Sequence, residues 1–170
     1  MNVVEEKRKA VTGARRMVRR IAIVALATTS SDGQPWSTPV YAVFDGRGFY
    51  WSSLTDAVHS VNIAANPGVF LAIFDSTAPD KSGHGVYARA TARELLDYQA
   101  IAIALAALAA RKGESPKPVE DYIAPQSQRV YEAVPESMWT NVVHHERGYV
   151  FDERIEIDSA DLRPARRRRR

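Results

Sequence analysis

Two Asp-Gly pairs within the first fifty residues, Asp32-Gly33 and Asp45-Gly46, constrain the fold more than any other feature. Asp-Gly is a strong hairpin signal because type I′ turns need positive φ at both central positions. The first pair follows the run IAIVALATT, which is too short and too β-branched for a helix, and the second follows STPVYAVF. These patterns predict three successive antiparallel strands, at about residues 21–29, 36–44 and 48–54.

Three segments have helical patterns. Apolar residues interleaved with arginines predict a helix over residues 4–21. A second helix runs to about Ala65, with Thr55 or Asp56 as its N-cap and the tripeptide NPG as its stop. The third, at 98–112, contains AIAIALAALAA, well short of the roughly 18 apolar residues that span a bilayer. We therefore expect the third helix to be buried and the chain to have no membrane segment.

Further strand patterns follow in the second half of the chain. The segment GVYARATARELL alternates small apolar residues with polar ones, which is typical of a strand with one buried face. Short strands with hairpin turns, and no regular alternation of strand and helix, favour a closed antiparallel barrel because closure removes exposed edges. We predict a mainly β fold with peripheral α-helices, in a single domain over residues 1–162. The other late strand candidates are VFLAIF, QRVYEAV, ESMWTNVV and YVFDERIEI.

Composition limits the compartment. The 170 residues include no cysteine, so the chain forms no disulfide and offers no thiolate nucleophile or metal ligand. The N-terminus is charged from Glu5 onward and lacks the apolar core of a signal peptide. Both observations favour a cytoplasmic protein.

The net charge of +3 has a local origin. Arg163 and the arginines at 166–170 supply six of the 23 basic residues, which leaves 17 bases against 20 acids elsewhere. A block of like charge is usually a solvated tail, so we expect residues 163–170 to be disordered. Nucleic-acid binding through this tail is disfavoured because the body is acidic and no aromatic residue interleaves with the arginines.

Several common active sites are excluded by their motifs. Gly46-Arg47-Gly48 lies within a hairpin and not at a strand-to-helix turn, so it is not a dinucleotide-binding fingerprint. Lys81-Ser82 lacks the upstream glycine of a P-loop, and there is no Gly-x-Ser-x-Gly. His144-His145-Glu146 lies on a predicted strand, where adjacent side chains point to opposite faces, so we expect no metal site. No side chain is an evident catalytic acid or base.

The strongest positive signal lies at a strand-to-helix junction. Ser52, Ser53 and Thr55 end a strand, and His59 and Ser60 lie in the first turn of the helix that follows. Helix N-termini present unpaired N–H groups and partial positive charge, so hydroxyls and an imidazole there suit a phosphate. The alternative is a simple helix cap by the preceding polar residues, one of which is acidic. The residues alone leave both interpretations open.

The order of the motifs resembles a known family. FYWSS, HSVNIAANP and VFLAIFDSTAP are followed by GVYARATAREL and then RVYEAVPESMWTN. Over about residues 21–157 this order resembles the pyridoxamine 5′-phosphate oxidase-like family of FMN-binding split barrels. The resemblance implies a six-stranded antiparallel split β-barrel and a homodimer with FMN at the subunit interface. It also implies an FMN-dependent oxidoreductase that acts on a small-molecule substrate.

The resemblance implies positions for the cofactor as well. The FYWSS strand and the helix after it would hold the ribityl phosphate, and backbone groups of the STPV strand would meet the polar edge of the isoalloxazine ring. The DS pair of FDST would close the far side, and the second subunit would contribute its SMWTN segment. The implied cofactor-binding residues are Thr38, Pro39, Val40, Trp51, Ser52, Ser53, His59, Ser60, Asp75, Ser76, Trp139 and Asn141.

Two departures from the family pattern bear on function. His59 is the only cation that the sequence offers to the phosphate, where many members place Lys or Arg, so we expect a pH-sensitive site. The ending DLRPARRRRR differs from that of the vitamin B6 oxidases, which leaves oxidation of pyridoxamine phosphate itself open. The alternatives are the deazaflavin F420 as cofactor and a flavin-binding module without turnover. A substrate pocket over the flavin would be lined by Trp36, Tyr41, Tyr87 and Trp139.

Overall fold

The computed structural model describes residues 3–79, 84–146 and 149–163. These residues form one antiparallel sheet with three α-helices around it. The helices are α1 (Val3–Arg20), α2 (Val58–Ala65) and α3 (Tyr98–Lys112), with single 3-10 turns at Val119–Tyr122 and Ser159–Leu162. The strands are β1 (Ile23–Thr29), β2 (Pro35–Tyr41), β3 (Val43–Phe44), β4 (Phe49–Leu54), β5 (Gly68–Phe74), β6 (Gly85–Glu94), β7 (Gln128–Glu146) and β8 (Tyr149–Ile157).

The sheet curls into a barrel that stays open along one seam. Its strand order is β2-β1-β5-β6-β7-β4-β3, and β8 adds to β7 outside this path. The two ends of the path approach each other where β2 nears β4, but no ladder joins them. The predicted fold class, a mainly β split barrel with peripheral helices, is confirmed. The described residues contribute eight strands to the sheet, two more than the family resemblance implies.

Both Asp-Gly hairpins form, but the second strand ends earlier than predicted. Gly33 (φ 87°) turns β1 into β2, and Gly46 (φ 97°) turns β3 into β4. The predicted strand at 36–44 is broken at Ala42, whose N–H donates to the carbonyl of Ala22. The chain crosses there from one edge of the sheet to the other. This crossing creates the seam, because β2 and β3 belong to opposite ends of the strand order.

The interior of the barrel is one apolar core. Alternate residues of the strands point inward, and Trp51, Leu26 and Leu71 are fully buried. The helix α1 covers one end of the barrel and adds Ala14 and Val18 to the same core. Small residues on β6 permit the sheet to curve tightly, as the sequence predicts. They are Ala88, Ala90 and Ala92, each about 1% exposed or less.

The helix α3 covers the outer face of the barrel, where it forms a second core. It begins at an N-cap, Asp97, whose carboxylate accepts from the Ala100 N–H at 2.8 Å, and it ends at Gly113 in the left-handed conformation. Its C-terminal Arg111 donates to the carbonyls of Val18 and Arg19 and so ties α3 to the end of α1. The residues of this second core are Tyr50, Leu95, Ile101, Ala104, Leu105, Val119, Tyr122 and Val130.

The long strand β7 replaces two predicted strands. QRVYEAV and ESMWTNVV are continuous through Pro135, where the pairing with β6 shifts register: Ala90 pairs with Pro135 and Arg89 with Ser137, so Glu136 is an extra residue on β7. A proline lacks the N–H that a ladder uses, and this bulge in β7 itself accommodates it. The strand β7 thereby spans the whole sheet and connects both ends of the barrel.

The structure describes the C-terminal segment as far as Arg163, one residue past the predicted end of the domain. Arg163, the first residue of the expected tail, donates its Nε–H to the carbonyl of Gly46 at 3.1 Å. Residues 164–170 lie outside the described part of the chain. Among the described helices, none has the length and apolar character needed to cross a bilayer.

Candidate functional site

The helix α2 is fixed against the barrel by one buried hydrogen bond. Asn62 Nδ2 donates to Thr28 Oγ1 on β1 at 3.0 Å, and both side chains are buried. The helix begins after Ala57, and no side chain caps its N-terminus. The predicted cap by Thr55 or Asp56 is therefore wrong, because the helix starts too late for either side chain to reach it. The first N–H groups of α2 are left for another acceptor.

His59 and Ser53 form the polar centre at this helix end. His59 Nε2 and Ser53 Oγ share a hydrogen bond of 2.8 Å between the first turn of α2 and the end of β4. Burial lowers the pKa of His59 from its ordinary value, since desolvation disfavours the imidazolium. The two residues that sequence reasoning assigned to a phosphate are thus brought together. In this arrangement an anion would stabilise the protonated ring.

Ser60 lies beside this pair with its hydroxyl buried. The Ser60 Oγ makes no hydrogen bond of normal geometry, and its neighbour is the phenol of Tyr131 on β7. Burial raises the pKa of Tyr131, and the nearby Ser60 hydroxyl opposes that rise. The Tyr131 ring stacks on Trp51, with centroids 5.7 Å apart. A buried hydroxyl without a good partner is uncommon, and here it lies next to a helix N-terminus.

Arg129 is a cation that sequence reasoning missed. It lies directly opposite Ser53 in the register of β4 and β7, so its side chain leaves the sheet on the same face as the Ser53 hydroxyl. Arg129 Nε contacts Glu94 Oε1 at 2.9 Å, and its guanidinium also donates to the carbonyls of Gln126 and Gln128. The Arg129 side chain is only 12% exposed. The interpretation that His59 is the only cation near the site is therefore wrong.

Two further predicted residues have positions that limit their roles. Ser52 follows the strand alternation, so its side chain is exposed on the face opposite to Ser53. Trp51 is 0% exposed within the core, and its indole Nε1 has no hydrogen-bond partner. A role for Trp51 in cofactor binding stays a prediction, and its ring fills the barrel interior.

The predicted residues of β2 border the seam. Thr38 and Val40 pair with Leu26 and Val24 and point inward, whereas Pro39 is exposed on the other side. This strand is an edge of the sheet, so its outer backbone groups are free of a ladder. Successive residues direct their backbone groups alternately toward β1 and outward, so Pro39, which lacks an N–H, offers its carbonyl to the seam between Thr38 and Val40.

The remaining predicted residues lie at the other end of the sheet. Asp75 follows β5 and pairs with Arg20 of α1, and Ser76 is exposed beside it. The Asn141 Oδ1 accepts from the Gly85 N–H at 2.7 Å at this same end. From Gly68, near α2, to Phe74 the chain rises about 20 Å at 3.4 Å per residue. Gly68 pairs with Thr91, and Glu94, which contacts Arg129, lies further along β6, so Asp75 follows the end of β5 that is remote from this cluster.

The aromatic residues proposed for a substrate pocket are divided. Tyr87 and Trp139 are directly paired on β6 and β7, and Phe70 contacts both rings at centroid distances of 6.4 Å. Tyr41 instead lies under Lys112, whose Nζ is 5.0 Å from the ring centroid. Trp36 is 46% exposed at the start of β2. Only Tyr87 and Trp139 share a surface.

The described cluster brings together several groups that could donate hydrogen bonds to an anion. The cluster lies where the end of β4 and the start of β7 meet the first turn of α2. It consists of an uncapped helix N-terminus, an imidazole, two hydroxyls and a guanidinium. Each of these groups can donate a hydrogen bond to a phosphate oxygen. The cluster contains one carboxylate, Glu94, which already accepts from Arg129.

The family model for pyridoxamine 5′-phosphate oxidase matches residues 12–141. The chain belongs to the pyridoxamine 5′-phosphate oxidase-like family. This assignment confirms the resemblance found in the sequence, and the matched region of this family member contains the described anion site and the seam beside it. No curated protein matches the chain.

Solved structures share the fold at low identity. A heme binding protein from Mycobacterium smegmatis superposes with a TM-score of 0.68 at 19% identity, over 92% of this chain and 61% of that one. Campylobacter jejuni ChuZ gives 0.66 at 13% identity, over 94% and 65%. A structure described as an F420 reductase gives 0.56 at 19% identity, over 74% and 95%. At these identities the likeness establishes the split-barrel fold. The chain spans about three fifths of the length of the heme binding protein.

Proposed function

We propose that the protein is an FMN-binding flavoprotein, and that it acts as an oxidoreductase between a nicotinamide or small organic substrate and the flavin. The observation that carries the proposal is the pairing of His59 with Ser53 at an uncapped helix N-terminus, beside Arg129. This donor set suits the terminal phosphate of FMN. Riboflavin, which has the same ring system without the phosphate, provides the matched comparison.

The local charges support a doubly charged ligand. Arg129 is permanently cationic, and His59 gains a proton more readily when an anion is next to it. Glu94 neutralises Arg129 in the structure described here, with a contact of 2.9 Å. A phosphate on the Ser53 side therefore competes with Glu94 for one guanidinium. The Ser60 hydroxyl, which lacks a good partner, can turn toward the same phosphate.

The ring of the flavin is assigned to the seam beside β2. The family resemblance implies that Thr38, Pro39 and Val40 lie beside its polar edge, and the outward carbonyl of Pro39 offers an acceptor there. When bound, FMN supplies the hydride and electron transfer chemistry, and the protein contributes position and electrostatics. No side chain of the described site is assigned the role of a catalytic acid or base.

We further propose a homodimer that completes the site. Asp75, Ser76 and Asn141 lie at the end of the sheet remote from the phosphate cluster, where β5 has risen about 20 Å from Gly68, so they would serve a flavin at that cluster only if a second copy presents them to it. The aromatic surface formed by Phe70, Tyr87 and Trp139 supports this association. Buried aromatic rings with nearby arginines are typical of interface cores, and Arg154 lies 4.1 Å over the Tyr87 ring.

The test is a comparison of two ligands on the purified protein. Any bound chromophore is extracted and identified by mass, and the cofactor-free protein is titrated with FMN and with riboflavin. Each charge-assisted hydrogen bond contributes about 1.5 to 3 kcal/mol, so we expect FMN to bind at least about tenfold more tightly. Equal affinity for the two ligands would contradict the phosphate assignment.

The same preparation separates the remaining alternatives. Recovery of F420 by mass, or tighter binding of F420 than of FMN, would favour the deazaflavin variant. An FMN-loaded protein that neither NADH nor NADPH reduces would favour a flavin-binding module without turnover. A cytoplasmic location belongs to this proposal as well, and cell fractionation tests it.

A further inference from the structure

A groove with a volume of about 680 Å³ runs along α1, between this helix and the C-terminal half of β7. It lies at the end of the sheet opposite to the phosphate cluster. Its walls are mainly apolar, and its length follows the helix from Glu6 to Ile21, which is about 22 Å at 1.5 Å per residue. The apolar residues that line it include Ala10, Gly13, Met17, Ile21, Val142 and Val143.

Gly13 leaves open space at the bottom of this groove, although neither packing nor backbone conformation requires a glycine there. A Cβ atom built at Gly13 meets nothing within 4 Å, so no neighbouring group demands a glycine there. Its φ is not in the left-handed region, so no backbone conformation demands it either. A glycine inside a helix costs about 1 kcal/mol of stability relative to alanine. The open space over Gly13 is therefore available to a ligand.

One end of the groove is cationic. Arg16 is exposed on its rim and makes no ion pair or side-chain hydrogen bond with any residue that the structure describes. Arg20 lies one turn further along α1 and is held by Asp75. His84 lines the same end, and Glu6, Arg8 and Lys9 line the other, where Arg8 pairs with Glu5. An anionic head therefore meets complementary charge at the Arg16 end, while the middle of the groove offers apolar surface.

We propose that this groove binds an elongated amphipathic carboxylate, with its apolar tail along α1 over Gly13 and its head on Arg16. The shape of the groove favours an extended ligand over a compact one, and its size is within the range of small-molecule sites. Asp75 and Asn141 form part of its end wall, but the proposal does not depend on a bound flavin.

The experiment measures binding of dodecanoate to the full chain by calorimetry, below the concentration at which micelles form. Dodecanol is the uncharged comparator. Gly13→Leu fills the groove and improves helix propensity, so we expect a folded protein in which both ligands lose at least tenfold in affinity. Arg16→Gln should weaken dodecanoate about fivefold and leave dodecanol unchanged, since an exposed ion pair contributes about 1 kcal/mol.

Two matched variants control for general effects. Ala106→Leu adds the same bulk to an exposed position of α3, and Arg19→Gln removes a charge of α1 that does not line the groove. Both should bind dodecanoate as the unchanged protein does. The proposal is overturned if dodecanoate does not bind, if Gly13→Leu binds it normally, or if Arg19→Gln weakens it as much as Arg16→Gln.

Discussion

Ser53 on β4 and Arg129 on β7 lie directly opposite each other across the two strands. This pairing puts a guanidinium on the same face as the hydroxyl that holds His59. The cation is not free, because Glu94 contacts it at 2.9 Å. Glu94 would therefore compete with a bound phosphate for the Arg129 guanidinium. Variants of Arg129 and Glu94 should consequently change phosphate affinity in opposite directions.

Replacement of Arg129 tests the phosphate assignment. We expect Arg129→Gln to weaken FMN about 10- to 100-fold, because a hydrogen bond to a charged group contributes about 1.5 to 3 kcal/mol. Riboflavin affinity should change little. The measurement is quenching of flavin fluorescence on titration with each ligand.

Glu94→Gln is the matched variant for this experiment. It keeps the size of the side chain and removes the charge that holds Arg129, so FMN should bind more tightly than to the unchanged protein. If both variants weaken FMN to the same extent, the pair has only a structural role.

His59 should give stability and anion binding opposite dependences on pH. An unfolded histidine has a pKa of about 6.5, and burial lowers the pKa of His59 in the folded chain. Between these values the unfolded state binds more protons, so the free energy of unfolding decreases as the pH falls below about 6.5 and is fully retained above it. An anion next to the ring favours the protonated imidazole instead, so the affinity for the anion should increase as the pH falls through the same range.

Urea unfolding and sulfate titration between pH 5 and 8 measure the two effects. Sulfate is used because its charge does not change in this range. In His59→Gln, both the free energy of unfolding and the sulfate affinity should depend less on pH. Subtracting the pH dependence of this variant from that of the unchanged protein removes the contributions of the other histidines. A sulfate affinity independent of His59 would remove this residue from the anion site.

Trp139 is expected to be central to association of two copies. Its ring lies on the same sheet face as Phe70 and Tyr87, with Arg89 6.0 Å from its centroid. Truncation of a central aromatic residue typically costs about 2 kcal/mol or more, so Trp139→Ala should raise the dimer dissociation constant at least about 30-fold. Sedimentation velocity measures this constant.

Leu96→Ala serves as the control for this effect. Leu96 is 82% exposed and lies outside the aromatic surface. Its replacement should leave association unchanged. A protein that is monomeric at all concentrations before any substitution would rule out the proposed dimer.

The N-cap of α3 should have a measurable effect on stability. Asp97→Ala removes the acceptor of the Ala100 N–H, and loss of such a cap costs about 1 kcal/mol. The midpoint of urea unfolding should decrease accordingly. Asp121→Ala, which removes an exposed carboxylate from a 3-10 turn, should change the free energy of unfolding by less than about 0.5 kcal/mol. Equal effects of the two variants would indicate a general effect of charge and not the loss of a helix cap.

Local signals in the sequence predicted some elements closely. The helix α3 has the predicted bounds, because Asp97 and Gly113 mark its ends and an uninterrupted apolar run lies between them. The hairpin turns at Gly33 and Gly46 are likewise local. The continuity of β7 through Pro135 was not predictable in this way, because the register shift that accommodates the proline depends on the pairing of β7 with β6.

The candidate site was predictable only in part for the same reason. His59 and Ser53 are near in sequence, and the strand-to-helix junction identified both. Arg129 enters the site through the pairing of β4 with β7, and a single sequence does not reveal that register. The opposite directions of Ser52 and Ser53 follow from strand alternation, which could have divided their roles at the outset.

The two prolines of β2 determine how copies of this chain can meet. Pro35 and Pro39 occupy equivalent positions in the ladder with β1, so the two missing donors fall on the same, outer side of the strand. An edge that lacks these two donors is a poorer template for a strand from another molecule, which disfavours edge-to-edge aggregation. The faces of the sheet are then the surfaces left to the proposed dimer.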